Sequence, residues 1–159
     1  MATLKIDIIA VGRLKERFWE DASSEYLKRL RPYATVQVIE VDDVDSARAG
    51  SIAAALDAEA AAITKRLSYE THSIILDSHG REHSSEEIAA LIEEQLSGQS
   101  HHLTFIIGGS HGLAERIKAL SNKALSFGPV TLPHNLARIV LLEQLYRAFK
   151  IIRNEPYHK

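Results

Sequence analysis

The chain has 159 residues, a formal net charge of −2 and no cysteine. This length suits one domain that buries most of the surface exposed by its unfolded form. The absence of cysteine excludes disulfides, thiolate nucleophiles and zinc sites with sulfur ligands. The charge argues against a general nucleic-acid binder, because such proteins carry a basic excess that releases counterions from phosphates. Residues 1–20 alternate apolar and charged positions rather than forming a signal peptide or apolar span, so we expect a soluble, cytoplasmic protein.

Short β-branched runs alternate with longer segments of helical period along the chain. The runs occupy residues 4–11, 35–41, 73–77, 103–107 and 124–132. The last of them is weak, because Gly128-Pro129 interrupts it. The repeated order of strand and helix predicts a single α/β domain over residues 1–159, with a mainly parallel sheet and helices on both faces.

The segments between the runs carry helix signals. Residues 16–30 repeat apolar side chains at helical spacing, and residues 51–67 are rich in alanine, the best helix former. Ser84 is a predicted N-cap for a helix over residues 88–96. A last helix is predicted to start after Pro133. Its apolar face consists of residues spaced three or four apart, namely Ile139, Leu142, Tyr146, Phe149 and Ile152.

Open parallel sheets bind ligands at the carboxyl ends of their strands, so the segments that follow the runs are candidate sites. Three contain unusual residues: "LDSHG" at 76–80, "IGGSHG" at 107–112 and "SFGPVTLPH" at 126–134. Gly108-Gly109 lets a backbone approach a ligand, and a helix predicted from near Leu113 directs free N–H groups to the same place. A tight turn without a ligand is the commoner explanation of two such glycines.

The glycines do not fit the usual nucleotide motifs. Their spacing departs from Gly-x-Gly-x-x-Gly, and no Gly-Lys-Ser/Thr follows, which argues against a dinucleotide site, a P-loop or an ordinary nucleotide-binding regulator. In the third segment, Gly128-Pro129 exposes consecutive amides and carbonyls that no sheet ladder satisfies, so this loop can bind an adenine edge through its backbone. An edge strand broken by a turn explains the same residues.

The polar side chains argue against metal and hydrolase chemistry. The chain has eight histidines, but their spacing does not place converging ligands on one helix. Ser78-His79 and Ser110-His111 are adjacent pairs rather than a nucleophile and a base held at a distance, and no Gly-x-Ser-x-Gly is present. We therefore expect neither a metal site nor a serine hydrolase.

The chain ends in "NEPYHK", which offers a different chemistry. Tyr157 can stack on a base, and His158 can move a proton near neutral pH, although a terminal aromatic more often packs or frays. Arg147 and Lys150 lie in the preceding predicted helix. Their simplest interpretation is a solvated face with a Glu143–Arg147 ion pair one turn apart.

Four stretches occur in order along the chain. They are "IIAVGRLKERFW" near the N-terminus, "IIGGSHGL" at 106–113, "ALSFGPVTLPHNLARIVLLEQLYRAFKI" at 124–151 and "YHK" at the end. Together they resemble the ribosomal RNA large subunit methyltransferase H family of the SPOUT superfamily. The resemblance implies a homodimeric α/β domain with a trefoil knot in its C-terminal half. It further implies an enzyme that binds S-adenosylmethionine and methylates N3 of a pseudouridine in 23S rRNA.

The resemblance also implies roles for individual residues. The donor-binding set that it implies is Leu76, Gly108, Phe127, Gly128, Pro129, Val130, Thr131 and Leu132. The catalytic set that it implies is His158, Arg147 and Tyr157, supplied to the donor held by the partner subunit. No metal is implied, and none is needed, because a sulfonium donor carries its own leaving group. The attacking imide must lose a proton, and His158 and Arg147 are the candidates that assist this loss.

Two other functions stay open at this point. One is a SPOUT methyltransferase with another RNA target, and the other is a non-catalytic ribosome-assembly or RNA-binding module. The acidic net charge also bears on the substrate, because a dimer of this chain cannot hold arbitrary RNA by bulk electrostatics. We therefore expect recognition of an assembled ribosome, with the basic C-terminal residues oriented towards it by shape.

Overall fold

The structure, a computed structural model, describes residues 3–157. Five strands form one sheet: β1 (Lys5–Val11), β2 (Thr35–Val41), β3 (His72–Glu82), β4 (His102–Ile107) and β5 (Lys123–Ser126). They lie in the order β2-β1-β4-β3-β5, and every neighbouring pair is parallel. The helices are α1 (Arg17–Leu30), α2 (Ser46–Ala49), α3 (Ile52–Arg66), α4 (Ser85–Ser97), α5 (Glu115–Leu120) and α6 (His134–Ile152). The predicted α/β class and parallel sheet are confirmed.

Helices cover both faces of the sheet, because alternate residues of the central strands feed two separate cores. Ile6 and Ile8 of β1 belong to the larger core, which includes side chains from α1, α4 and α6. Ile9 and Val11 belong to the smaller core, together with side chains from α3 and α5. Burial on both faces explains why the central strands are nearly continuous apolar runs in the sequence.

The helices follow the sequence signals closely. Ser84 caps α4, since its hydroxyl accepts a bond from the Glu87 N–H at 3.1 Å and the Glu87 carboxylate accepts one from the Ser84 N–H at 2.7 Å. Leu142 and Phe149 of α6 are buried as predicted. The other three predicted core positions of α6 are only half-buried. The face that is buried most fully is shifted, because α6 packs between α1 and α4.

Two strand predictions are wrong at their ends. The fifth strand stops at Ser126 instead of residue 132, because Gly128 adopts a φ of 102° and Pro129 has no N–H for a ladder. The third strand continues beyond residue 77 to Glu82. A bulge separates the pairing of Leu76 with Leu125 from that of Arg81 with the same residue, so residues 77–80 protrude from the ladder.

Gly80 allows this bulge to lie against β5. A Cβ at this position would lie 2.7 Å from the backbone carbonyl of Ala124. The motif "LDSHG" is therefore a protrusion inside β3, not a loop that follows it. Among residues 3–157, no helix combines the length and the apolar character that crossing a bilayer requires.

Candidate functional site

A cavity of about 480 Å³ opens at the carboxyl edge of the sheet. Its walls come from the bulge of β3, the end of β4, and the loop that joins β5 to α6. Its volume lies in the range typical of small-molecule sites. Seven of the eight residues predicted to bind the donor line it, namely Leu76, Gly108, Phe127, Gly128, Val130, Thr131 and Leu132. Pro129 does not line it. The role of all eight in donor binding stays a prediction.

The walls combine apolar side chains with unpaired backbone. Leu76, Ile107 and Leu125 contribute aliphatic surface. Within the described residues, the amides of Val130 and Thr131 have no hydrogen-bond acceptor in the protein. An apolar cavity whose lining residues include two with unpaired amides suits a heteroaromatic ring, which has wide faces and hydrogen-bonding edges.

The two glycines after β4 start a tight turn. The Gly112 N–H donates to the Gly109 carbonyl at 3.0 Å, and Gly112 has a φ of 77°. A Cβ at Gly108 would lie 2.5 Å from the Gly112 carbonyl oxygen, so this position requires glycine. The helix predicted from near Leu113 is present as α5, which begins at Glu115 and has only six residues. The turn itself, rather than a helix N-terminus, forms this wall of the cavity.

Ser126 connects two of the three candidate segments. Its hydroxyl donates to the Ser78 carbonyl at 3.2 Å and accepts a bond from the Gly128 N–H at 3.1 Å. These contacts hold the β3 bulge and the loop after β5 side by side. The three segments singled out in the sequence therefore meet at one cavity, which the carboxyl-edge rule predicts.

Other residues of the selected segments also line the cavity, although they were not in the set predicted to bind the donor: Asp77, Ser78, Ile107, Gly109, Ser110, Gly112, Pro133 and His134. Asp77 is the most distinctive of them. Its carboxylate accepts a bond from the His79 N–H at 3.0 Å and lies 3.6 Å from the Lys118 ammonium. The bond from His79, with smaller help from Lys118, lowers the pKa of Asp77. The signal in the sequence was a lone aspartate directly after a strand core, which is common in loops.

Arg138 ties the start of α6 to the sheet. Its guanidinium donates to Glu40 of β2 at 2.8 Å and to the Gly12 carbonyl after β1 at 3.1 Å. The side chain is 3% exposed. Because His134 and Ala137 of the same helix line the cavity, this buried tie fixes one of its walls.

Two of the residues predicted to be catalytic lie together near the end of the chain. The Arg147 guanidinium lies 3.9 Å from the centre of the Tyr157 ring, and both side chains bond to Glu143 at 2.7 Å. The predicted Glu143–Arg147 pair is confirmed. His158, the third predicted catalytic residue, lies outside the described residues.

Glu143 contributes to a raised pKa of both partners. Its carboxylate raises the pKa of Arg147, which therefore stays a cation at any neutral pH. Burial, followed by the bond to Glu143, raises the pKa of Tyr157 to about 12. Tyr157 is therefore a neutral phenol near pH 7, and neither residue is a proton acceptor there.

The tail residues, Arg147 and Tyr157, and the residues predicted to bind the donor form separate groups. Arg147 and Tyr157 line a second cavity of about 410 Å³ with Lys150, Gln144 and others. None of its lining residues belongs to the cavity at the carboxyl edge. Within the described residues, no group of three or more His, Asp or Glu side chains is arranged to hold a metal ion.

Comparison with known proteins identifies the family. Residues 4–158 match a family model described as a predicted SPOUT methyltransferase. The chain belongs to this family. A protein of Carboxydothermus hydrogenoformans named ribosomal RNA large subunit methyltransferase H is 49% identical over 160 residues, which cover 98% of this chain and 100% of the relative. A relative of the same name in Bacillus thuringiensis is 44% identical over 159 residues, with the same coverage of both chains. The family resemblance drawn from the motifs is confirmed, and the protein is a methyltransferase.

Two solved structures share the fold of this SPOUT methyltransferase. A probable methylase family protein from Haemophilus influenzae has a TM-score of 0.54 at 16% identity, covering 97% of this chain and 70% of its own. A probable methyltransferase from Bordetella pertussis has a TM-score of 0.55 at 12% identity, covering 92% of this chain and 95% of its own. At these identities the similarity bears on the fold alone.

Proposed function

We propose that this protein transfers a methyl group from S-adenosylmethionine to N3 of a pseudouridine in 23S rRNA. The observation that carries the proposal is the 49% identity, over the full length, to a ribosomal RNA large subunit methyltransferase H. The substrate is the assembled ribosome in the cytoplasm. An acidic chain gains little from bulk attraction to RNA, so a shaped ribosomal surface provides the specificity.

The cavity at the carboxyl edge is the donor site in this proposal. Its apolar walls and the free amides of Val130 and Thr131 match an adenine ring and its edges. Leu76, Gly108 and residues 127–132 hold the donor, mainly through backbone. S-adenosylmethionine supplies a methyl group attached to a sulfonium. When the methyl group is transferred, the sulfonium becomes a neutral thioether, which is the leaving group.

In the transfer step, the new bond joins the methyl carbon to N3 of the base, the carbon–sulfur bond breaks, and the imide proton leaves. Arg147 is a permanent cation and stabilises the anionic imide that results from proton loss. Tyr157 holds Arg147 by stacking, and its hydroxyl donates a hydrogen bond to Glu143. We assign the acceptance of the imide proton to His158.

The separation of the two groups of residues supports a homodimer. Arg147 and Tyr157 do not line the donor cavity of their own chain, so a second copy brings them to it. The proposed domain comprises residues 1–159, with a trefoil knot in its C-terminal half. In support of the knot, the chain leaves the edge strand β5 through residues 127–133 and returns to pack between α4 and α1.

The test uses S-adenosylmethionine with a labelled methyl group. The purified protein is incubated separately with large subunits, whole ribosomes and naked 23S rRNA, and the label is mapped by nuclease digestion and mass spectrometry. We expect label at N3 of one pseudouridine in assembled particles and far less in naked RNA. Absence of label from every ribosomal substrate would refute the proposed function, and equal labelling of naked RNA would refute the preference for assembled particles.

A further inference from the structure

Among residues 3–157, the lining of the donor cavity contains one residue with a formal charge at neutral pH, and that residue is Asp77. His134 is the other titratable group there, and the remaining lining residues are apolar, hydroxylic or glycine. A single carboxylate in an apolar wall is a strong local source of negative potential, because few other groups screen it.

The ordinary explanation of such a carboxylate is local structure. Asp77 accepts the His79 N–H, which stabilises the bulge, and it is paired loosely with Lys118 at 3.6 Å. Neither role requires a charge. An asparagine oxygen accepts the same N–H, and Lys118 has a second acidic neighbour, Glu115, also at 3.6 Å.

The chemistry of the donor suggests a function for the charge of Asp77. S-adenosylmethionine carries two cationic groups, a sulfonium and an α-ammonium, and both are retained until the methyl group leaves. Resting on the donor assignment proposed above, we infer that the Asp77 carboxylate is the electrostatic anchor for the cationic end of S-adenosylmethionine. The anchor selects the charged donor over uncharged adenosine thioethers that fit the same cavity.

The surroundings of Asp77 favour this role. The carboxylate is about one-sixth exposed, with a side-chain value of 16%, so it is shielded from water on most sides. The bond from His79 keeps it ionised by lowering its pKa, and it is therefore charged before a ligand arrives. Lys118 does not line the cavity, so its ammonium is not part of the wall that a ligand would contact.

The test compares a charged ligand with an uncharged one. Asp77→Asn keeps the shape and the bond from His79 but removes the charge. Dissociation constants for S-adenosylmethionine and for 5′-methylthioadenosine, which has neither cation, are measured by titration calorimetry. We expect Asp77→Asn to raise the dissociation constant for S-adenosylmethionine about tenfold. The dissociation constant for 5′-methylthioadenosine should stay within about twofold of that of the original protein.

Glu115→Gln is the matched control. It removes the same charge beside the same lysine, but Glu115 is 91% exposed and does not line the cavity. We expect both ligands to bind this variant within about twofold of the original protein. S-adenosylhomocysteine, which keeps the ammonium but not the sulfonium, shows which cation pairs with Asp77. Weaker binding of it to Asp77→Asn identifies the ammonium, and unchanged binding identifies the sulfonium.

The outcomes separate this inference from the proposed function. Equal weakening of both ligands by Asp77→Asn would show a structural role and overturn the anchor, as would unchanged binding of both. Failure of the unaltered protein to bind S-adenosylmethionine would instead refute the donor site itself. Thermal unfolding of each variant verifies that all three proteins compared are folded.

Discussion

At the scale of single residues, Arg147 carries a positive charge that titration near neutral pH does not remove. Glu143 raises the pKa of Arg147 and binds its guanidinium through two nitrogens at 3.1 and 2.7 Å. The arginine therefore acts as a fixed positive charge next to the Tyr157 ring. A planar cation held in this way is suited to stabilise an anion rather than to exchange a proton.

Substitution of Arg147 is expected to affect transfer far more than donor binding. In Arg147→Met we expect the single-turnover rate on ribosomes to fall about a hundredfold, because the anionic imide loses its stabilising charge. The dissociation constant for S-adenosylmethionine should stay within about twofold, since Arg147 does not line the donor cavity. Arg147→Lys keeps the charge and serves as the control, with a smaller loss. A Met variant with an unchanged rate would remove Arg147 from the mechanism.

The prediction for Gly108 concerns stability, because only glycine fits in the space beside the Gly112 carbonyl. A Cβ there would overlap the Gly112 carbonyl oxygen and touch Leu113, so Gly108→Ala must displace the turn that walls the cavity. We expect the free energy of unfolding in urea to fall by about 2 kcal/mol. Gly98→Ala is the control, because a Cβ there meets its nearest atom at an ordinary 3.4 Å and φ is −80°. Equal stability of the two variants would contradict the steric argument.

At the scale of elements, the sequence predicts what depends on local pattern and misses what depends on pairing. The α4 helix was predictable from Ser84 and the glutamates after it, since a capping box involves only four consecutive residues. The extension of β3 to Glu82 was not, because residues 81 and 82 are polar and enter the sheet only through pairing with β5. Likewise, the boundaries of the cavity were predictable from the carboxyl-edge rule, whereas the presence of Asp77 in its wall follows from the bulge.

The junction of α6 with the sheet depends on Arg138, which no local pattern marks. Arg138→Met leaves the Gly12 carbonyl and the Glu40 carboxylate without their donor, so we expect a loss of about 3 kcal/mol in the free energy of unfolding. The exposed Arg17 pairs loosely with Asp21 at 3.8 Å, and Arg17→Met is the control, with an expected change of about 0.5 kcal/mol or less. Similar losses of unfolding free energy in the two variants would show that the buried Arg138 contacts stabilise the fold no more than an exposed ion pair does.

The contact of α3 with the loop after β2 predicts that the stability of the protein depends on pH. Glu59 is 5% exposed and accepts the Val44 N–H at 2.9 Å. Burial is the main cause that raises its pKa, and nearby Asp43 adds to it. The unfolded chain therefore releases this proton at a lower pH than the folded protein, so Glu59 reduces stability as the pH rises above its ordinary pKa.

Glu59→Gln removes this penalty while keeping an acceptor for Val44. We expect the variant to unfold at a higher temperature than the original protein at pH 7, and the difference to vanish below about pH 4. Calorimetric scans between these limits measure it, with the exposed Glu93→Gln as control. A variant that is less stable at pH 7 would show that the ionised carboxylate is needed in the fold.

At the scale of the whole molecule, the two groups of residues with proposed roles lie near different ends of α6. The first turn of α6 borders the donor cavity through His134 and Ala137, and its last turns carry Arg147 and lead to Tyr157. A helix of 19 residues is about 28 Å long, so its last turns lie far along the helix axis from its first turn. The proposed homodimer accounts for this arrangement, because in an isologous pair each copy presents its tail to the other.

Mixed dimers test this arrangement directly. Leu132→Arg places a bulky cation in the proposed donor cavity, where it repels the cationic donor, and should abolish donor binding while leaving Arg147 and Tyr157 intact. Arg147→Met keeps the donor cavity but lacks the tail cation. Each variant alone should be nearly inactive. After equimolar exchange of subunits, half of the dimers are mixed and each has one complete site, so we expect about a quarter of the original rate. If the tail instead served its own chain, every mixed dimer would lack a complete site, and the mixture would stay as inactive as its components.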